Sequence, residues 1–183
     1  MDYRINIPEA DGSYVTLADI LPPVGRQIKL LVIGKTPMPD SVASGHYFQS
    51  PRGKQVFETL QKYDLMHINT LFEDDSLLNS GIGATHVVKK PHQGGDEPTD
   101  AEYYEGKERI DRIIKDYRPE AIVFLQEDAL RGVMKRCGEM PTKVGFNPDI
   151  DCFGPTKVFL FPQVKTSKDE AEKAMLALKD YVG

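Results

Sequence analysis

The stretch Lys-Leu-Leu-Val-Ile-Gly at residues 29–34 is a short apolar run, rich in branched side chains, that ends at a glycine. Such a run is typical of a strand buried on both faces of a parallel sheet. A loop dense in Pro, Gly and Ser follows at residues 35–51, and residues 52–62 carry apolar side chains at helical spacing. The order strand, loop, helix predicts the first unit of an α/β fold.

The same alternation continues toward the C-terminus. Further strands are predicted at residues 84–88, 121–125 and 157–161, and further helices at residues 99–117, at 127–136 and from 167 onward. Two of these helices begin at capping-box sequences, Thr99-x-x-Glu102 and Ser167-x-x-Glu170. We therefore expect an α/β protein, a three-layer αβα sandwich with a central four-stranded, mainly parallel sheet. We treat residues 1–183 as a single domain, with residues 1–27 as an N-terminal extension packed on it.

Composition excludes several classes of protein. The 183 residues carry 23 Lys and Arg against 28 Asp and Glu, a net charge of −5. No apolar run approaches the roughly 20 residues that span a bilayer, and no signal peptide is predicted. Cys137 and Cys152 are too few for a disulfide scaffold or a four-cysteine metal site, and we expect both to be small buried side chains. We expect a cytoplasmic monomer with no membrane, metal or cofactor.

The predicted loops indicate where a ligand would bind. In open parallel sheets, ligands bind beyond the carboxyl ends of the strands, and the loops at residues 34–51, 89–99 and 162–167 follow such ends. These loops and their edges carry basic residues: Arg52, Lys54, Lys89, Lys90, Lys165 and Lys168. A net charge of −5 argues against a generic polyanion binder, but a local basic face is compatible with nucleic acid. We therefore expect a positive face on an otherwise acidic protein.

The same three loops carry a family resemblance. Val-Ile-Gly-Lys-Thr-Pro at residues 32–37, with Gly-His-Tyr-Phe at 45–48 and Ser-Pro-Arg-Gly at 50–53, resembles the first motif of the uracil-DNA glycosylase superfamily. Gly-Ile-Gly-Ala-Thr-His-Val-Val at residues 81–88 is most similar to the mismatch-specific thymine/uracil branch, and residues 117–125 resemble the strand that follows. Order and spacing agree over residues 28 to about 128, and more loosely to about 180.

The resemblance implies a DNA-repair hydrolase that cleaves the N-glycosidic bond of a flipped-out deaminated base, uracil or a related lesion. That chemistry needs a group to orient water, a donor to the departing base and an aromatic face to hold the base. Two alternatives remain. The chain could be a catalytically silent nucleic-acid-binding relative, or a small-molecule nucleoside or nucleotide enzyme on the same fold.

Three residues are candidates for the chemistry. Thr36 occupies the position where the family usually has a water-orienting Asn or Asp, and its hydroxyl can hold a water without acting as a general base. Asp40 could supply a carboxylate from the same loop. His86 lies where many members have an Asn near the base, and its imidazole can donate to a carbonyl oxygen. The structural alternatives are a turn residue at Thr36 and Asp40 and a core histidine at His86.

The resemblance also assigns base contacts. Phe48 matches the base-stacking aromatic, with Tyr47 beside it, although ordinary core packing is the alternative for either ring. Lys35 and Pro37 belong to the first motif and are expected near the base. In the last motif either Phe161 or Gln163 takes the place of the usual His or Asn, depending on the alignment, and neither can act as an acid.

Contacts to the DNA backbone are expected from the basic loops. We expect Arg52, Lys89, Lys90, Lys165 and Thr166 to reach phosphates, since cationic and hydroxyl side chains make most such contacts. A solvated loop is the alternative for each of them. The lack of Asn or Asp at Thr36, and of His or Asn in the last motif, makes strong uracil excision doubtful and favours another deaminated base.

Overall fold

The computed structural model describes residues 1–93 and 96–183 and contains a central sheet flanked by helices. Residues 94 and 95 of the expected loop at 89–99 lie outside the described residues. The strands are β1 (Arg4–Glu9), β2 (Gly12–Leu17), β3 (Leu30–Gly34), β4 (Ile82–His86), β5 (Ala121–Phe124), β6 (Gly145–Phe146) and β7 (Lys157–Leu160). The helices are α1 (Pro39–Ser44), α2 (Pro51–Lys62), α3 (Asp100–Tyr117), α4 (Glu127–Met134) and α5 (Lys168–Val182), with short 3-10 helices at Glu73–Ser76 and Leu78–Ser80.

The central sheet has the strand order β4-β3-β5-β7-β6. The first four strands are parallel, and β6 pairs antiparallel with β7. The predicted α/β fold with a mainly parallel sheet is thus confirmed, but the expected strand number of four is wrong. The fifth strand, β6, is two residues long, and so short a segment leaves no periodic pattern in a sequence.

The helices cover both faces of the sheet, because successive strand side chains point to opposite sides. Leu30 and Val32 of β3 pack on one side with residues of α2 and α5. Leu31 and Ile33 pack on the other side with residues of α3 and α4. All five residues of β3 are buried, as its unbroken apolar sequence predicts.

The helix starts follow from their capping residues. Both halves of the predicted capping box of α3 are present, with Thr99 and Glu102 each bonding the other's backbone N–H. Ser167 caps α5 by accepting a hydrogen bond from the backbone N–H of Glu170. Ser50 caps α2 in the same way, with Pro51 at the first helical position. Within the described residues, no helix is both long enough and apolar enough to cross a membrane.

The first 20 residues form a β-hairpin that the sequence analysis did not predict. Its strands β1 and β2 pair antiparallel over six residue pairs, and Gly12 in the turn has a φ of 145° that favours glycine. The hairpin is joined to the sheet domain by backbone hydrogen bonds. The N–H of Tyr3 donates to the carbonyl of Gly45, and Ile20 forms an isolated bridge with Ala84 of β4.

The two cysteines are paired. Cys137, after the end of α4, and Cys152, before β7, form a disulfide with a Cα–Cα distance of 5.6 Å. The expectation of two separate buried thiols is therefore wrong. Sequence reasoning could not find the pair, because the segment between them, residues 138–151, bends back through the unpredicted strand β6.

Candidate functional site

A cleft of about 880 Å³ lies at the carboxyl ends of the parallel strands. Its walls include the turn after β3, the last residue of β4, the start of α2 and the loop between β7 and α5. The residues that matter for the chemistry below are Gly34, Thr36, Phe48, Arg52, His86 and Gln163. The volume is within the range of roughly 300–1,000 Å³ that holds small ligands.

Gly34 and His86 bring the two ends of neighbouring strands together. They are register partners at the last positions of β3 and β4. A Cβ added at Gly34 would lie 2.7 Å from His86 Cδ2 and 3.1 Å from Phe48 Cε1. Only glycine therefore leaves room for both rings, which contact each other edge to face with centroids 5.6 Å apart, and the bare backbone lines the cleft beside them.

The turn after β3 carries Lys35 and Thr36 along the cleft. The backbone N–H of Lys35 donates to Oε1 of Gln126, at 3.0 Å, which ties the turn to the end of β5. The Lys35 ammonium binds carboxylate oxygens of Glu97 and Asp128, each at 2.6 Å. Partial burial lowers the pKa of Lys35, but these two carboxylates outweigh it and raise the pKa above its usual value. Lys35 therefore stays cationic, and its charge is already paired with these two carboxylates.

Two expected residues of the first motif lie outside the cleft wall. Pro37 is buried and is not among the residues that line the cleft. Asp40 is exposed in the first turn of α1, also outside the lining. The reason is the unpredicted helix α1, which begins at Pro39 and turns the Asp40 side chain toward solvent. Neither position fits a contact with the base or with a water in the cleft.

Phe48 is held in the cleft by an unusual backbone conformation. Its φ is 56°, in the left-handed region, which costs a non-glycine residue about 1–2 kcal/mol. Hydrogen bonds on both sides fix it: the Tyr47 N–H donates to Asp74 and the Gln49 N–H donates to Ser41 Oγ. Strain retained at one residue by such flanking bonds is typical of functional positions.

His86 combines complete burial with an unpartnered nitrogen. The residue is 2% exposed, and among the described residues its Nδ1 has no hydrogen-bond partner. Burial lowers the pKa of His86 well below its ordinary value, and the nearby Lys89 and Arg109 cations lower it further. The ring is therefore neutral at neutral pH, and its Cδ2–Nε2 edge lies against Gly34 at the cleft.

Tyr47 lies behind His86 and does not line the cleft. Its side chain is fully buried, and its ring stacks on His86 with centroids 4.7 Å apart and an interplanar angle of 18°. Burial raises the pKa of Tyr47 well above its usual value, so the phenol stays protonated. The expectation that Tyr47 contacts the base does not fit this geometry, because His86 is interposed.

One further set of side chains could in principle hold a metal ion. His46, Asp74 and Asp75 present ligand atoms within 4.8 Å of one another. His46 Nδ1 already pairs with Asp74 at 2.8 Å, and Asp75 accepts from the Tyr3 hydroxyl. These bonds hold the segment that leads into Phe48, so the set supports the cleft wall through packing.

The loop after β7 closes the cleft with Gln163. The Nε2 of Gln163 donates to the carbonyls of Leu125 and Phe161, and its backbone N–H donates to the Thr166 hydroxyl. Both expected contacts, Gln163 and Thr166, are therefore engaged inside the loop. Val164 at the cleft rim is 82% exposed.

The expected basic face is only partly present. Lys89 is partly buried and pairs with Asp19 at 2.8 Å, and Lys90 pairs with Glu9 of the hairpin at 2.9 Å. The cleft itself is lined by both signs of charge: Arg52, Lys62 and Lys168 against Asp96, Glu97 and Glu172. Among the described residues, Arg52, Lys165 and Lys168 make no ion pair. These three, not Lys89 or Lys90, remain candidates for phosphate contacts.

The fold and cleft define an α/β domain with a ligand site at the carboxyl edge of a parallel sheet. The family model of the uracil DNA glycosylase superfamily matches residues 22–175 of the chain. The chain belongs to this superfamily, which confirms the resemblance of its motifs.

A curated relative agrees with the mismatch-specific branch. A G/U mismatch-specific uracil DNA glycosylase of Schizosaccharomyces pombe (strain 972 / ATCC 24843) is 25% identical over 136 residues. The match covers 71% of this chain and 42% of the relative. The chain thus spans less than half the length of the curated protein it resembles.

Proposed function

We propose that this chain is a monofunctional DNA glycosylase-like hydrolase that cleaves the N-glycosidic bond of a flipped-out deaminated base. The observation that carries the proposal is the stretch of cleft wall formed by Phe48, His86 and the bare backbone of Gly34 at the carboxyl edge of the sheet. Superfamily membership supports the same reaction. We also propose that the chain acts as a single domain and a monomer, without a cofactor.

His86 supplies the argument for a deaminated base. Deamination replaces an exocyclic amino group with a carbonyl oxygen, so the lesion differs from the normal base by a hydrogen-bond acceptor. We assign the proton of the neutral ring to Nε2, because an unpartnered lone pair on buried Nδ1 costs less than an unpartnered N–H. An Nε2–H donor at the cleft binds a carbonyl oxygen and repels an amino group.

Thr36 supplies the argument for water. Thr36 lines the cleft, and a threonine hydroxyl can hold a water by hydrogen bonds. When the bond breaks, the base leaves with the bonding electrons and the sugar carbon becomes electron-poor. The water adds to that carbon, and its released proton balances the charge on the departing base. Because Thr36 cannot remove the proton itself, the expected rate is lower than that of an enzyme with a carboxylate there.

An excision assay with defined lesions tests the proposal. The protein is incubated in excess with labelled oligonucleotides carrying uracil, hypoxanthine or xanthine, single-stranded and mispaired, with undamaged strands as controls. We expect alkali-labile abasic sites at one or more lesions and none in undamaged DNA. Absence of abasic sites from all lesions would contradict the proposal.

A second candidate function rests on a specific observation. Thr36 replaces the usual Asn or Asp, and the amide of Gln163 is committed to backbone carbonyls. These features favour a relative that binds a flipped base or a DNA strand without cutting. That reading predicts salt-dependent DNA affinity with no abasic product. A melting temperature raised by free nucleosides, with no DNA binding, would instead favour a small-molecule enzyme.

A further inference from the structure

Asp19 lies in a partly buried network of charges behind the cleft. The residue follows the hairpin and precedes residues 22–175, the part that the family model matches. Its carboxylate accepts hydrogen bonds from the Thr85 hydroxyl at 2.6 Å, from Lys89 Nζ at 2.8 Å and from Arg109 Nη1 at 3.0 Å. One carboxylate thus pairs with two cations that come from different segments of the chain.

Both cations reach from Asp19 to the wall of the cleft. Arg109 Nη2 donates to the carbonyl of His86, and also to the carbonyl of Val87 at 3.1 Å. Lys89 Nζ donates to the Tyr47 hydroxyl at 3.3 Å, and the Tyr47 ring stacks on the His86 ring. The backbone and the ring of His86 are therefore both held by groups that Asp19 pairs.

We propose that Asp19 is a positioning residue that fixes His86 in the cleft through Arg109 and Lys89. This inference rests on the proposed glycosylase function. Its physical basis is that two cations held close together in a partly buried site repel each other unless a carboxylate lies between them. Without Asp19 the two cations would separate or Lys89 would lose its proton, and His86 would lose its orientation toward a bound base.

The protonation states agree with this geometry. Burial raises the pKa of Asp19, but Lys89 and Arg109 outweigh the burial and hold it below its ordinary value. Burial lowers the pKa of Lys89, with the Arg109 cation acting in the same direction and Asp19 opposing it. The groups that face Lys89 are thus Asp19, Arg109 of α3 and the Tyr47 phenol, with neutral His86 beyond. Removing the Asp19 charge lowers the pKa of Lys89 further.

The test compares wild type with Asp19→Asn, which keeps the size of the side chain and removes its charge. We expect a 10- to 100-fold slower single-turnover excision, with the alkaline limb of the pH–rate profile moved to lower pH. Lys89→Arg should retain most of the excision rate. Its pH–rate profile should lack the alkaline limb, because arginine does not titrate in this range. Asp111→Asn is the matched control: it removes a carboxylate that pairs with Lys107 on α3, which contacts the Phe153 ring.

A second readout does not depend on catalysis. The nuclear magnetic resonance signals of the His86 ring should shift in Asp19→Asn and stay unchanged in Asp111→Asn. If wild type excises nothing, the glycosylase proposal fails while these signals still test the positioning role. Unchanged His86 signals, or a slower rate with an unmoved alkaline limb, would overturn the inference. If Asp19→Asn does not fold, the pH–rate profile of Lys89→Arg tests the inference instead. An alkaline limb unchanged from wild type in Lys89→Arg would overturn the inference.

Discussion

Thr36 shows what a single position contributes to the candidate site. Its motif position predicted a group at the cleft, and Thr36 lines that cleft. The neighbouring candidate Asp40 does not, because it lies in the first turn of α1, a short helix that the sequence pattern did not predict. The motif predicts that a turn follows β3. It does not predict the direction in which each side chain of that turn points.

Thr36→Asn tests whether this position still orients water. An amide offers both a donor and an acceptor to a water, so we expect faster uracil excision than in wild type. The measurement is the single-turnover rate on a G·U duplex, with Thr36→Val as the matched control that removes the hydroxyl. Equal rates in all three proteins would show that the position takes no part in the reaction.

Phe48→Ala tests the stacking surface. Removal of one base–aromatic contact costs about 1–3 kcal/mol, or roughly 5- to 150-fold in affinity. We expect this loss for lesion-containing oligonucleotides, measured by fluorescence anisotropy, whereas Phe48→Tyr keeps the ring and should bind like wild type. Undiminished affinity in Phe48→Ala would remove Phe48 from the base site.

The protonation of His86 gives a prediction for stability. Since its folded pKa lies well below the unfolded value, acid protonates the ring first in the unfolded chain. As the pH falls below about 6.5, His86 should therefore lower the free energy of unfolding by about 1.4 kcal/mol per pH unit, until the pH reaches the pKa of the folded state. Urea unfolding at pH 7.5 and 5.5 should show a larger drop for wild type than for His86→Gln. Parallel drops would mean that His86 is not buried in its neutral form.

At the scale of elements, strands and helices with a strong pattern were predictable. The runs that became β3, β5 and β7 are apolar and end at turn residues, and α3 and α5 carry capping residues. The hairpin β1–β2 was not predicted, because its strands are largely exposed and carry no clear alternation. The contact of His86 with Arg109, and of Arg109 with Asp19, could not be predicted either, because the three residues are far apart in the sequence and meet only in the folded chain.

Gly34→Ala tests the contact between β3 and β4. A methyl group 2.7 Å from His86 Cδ2 must push the ring aside and move the proposed Nε2–H donor on the cleft wall. We expect excision to fall at least tenfold while the thermal melting curve stays cooperative. A rate equal to wild type would mean that the cleft wall at Gly34 and His86 does not contact the base.

At the scale of the whole molecule, the charge of −5 must be reconciled with a polyanionic substrate. Several lysines of the predicted loops are paired with carboxylates of the protein itself, as Lys35, Lys89 and Lys90 show. The sequence could not reveal this, because each partner comes from a distant segment. What remains at the rim is a small set of cations, so DNA binding should depend on few phosphates.

The salt dependence of DNA affinity tests this reading. We expect a slope of log affinity against log salt equivalent to two or three phosphates, at about 0.7–0.9 per contact. Arg52→Ala should reduce the slope by about one contact. Lys115→Ala, near the C-terminal end of α3, is the control and should leave it unchanged. A slope near zero for wild type would contradict a DNA substrate.

The excision rates of two histidine variants test directly whether His86 takes part in cleavage of the N-glycosidic bond. Single-turnover rates are measured on whichever lesion wild type processes, for wild type, His86→Ala and His67→Ala, whose histidine is exposed on a loop. We expect abasic product from wild type and His67→Ala at equal rates, and at least a tenfold lower rate from His86→Ala. Equal rates for all three, or no abasic product from any lesion, would contradict it.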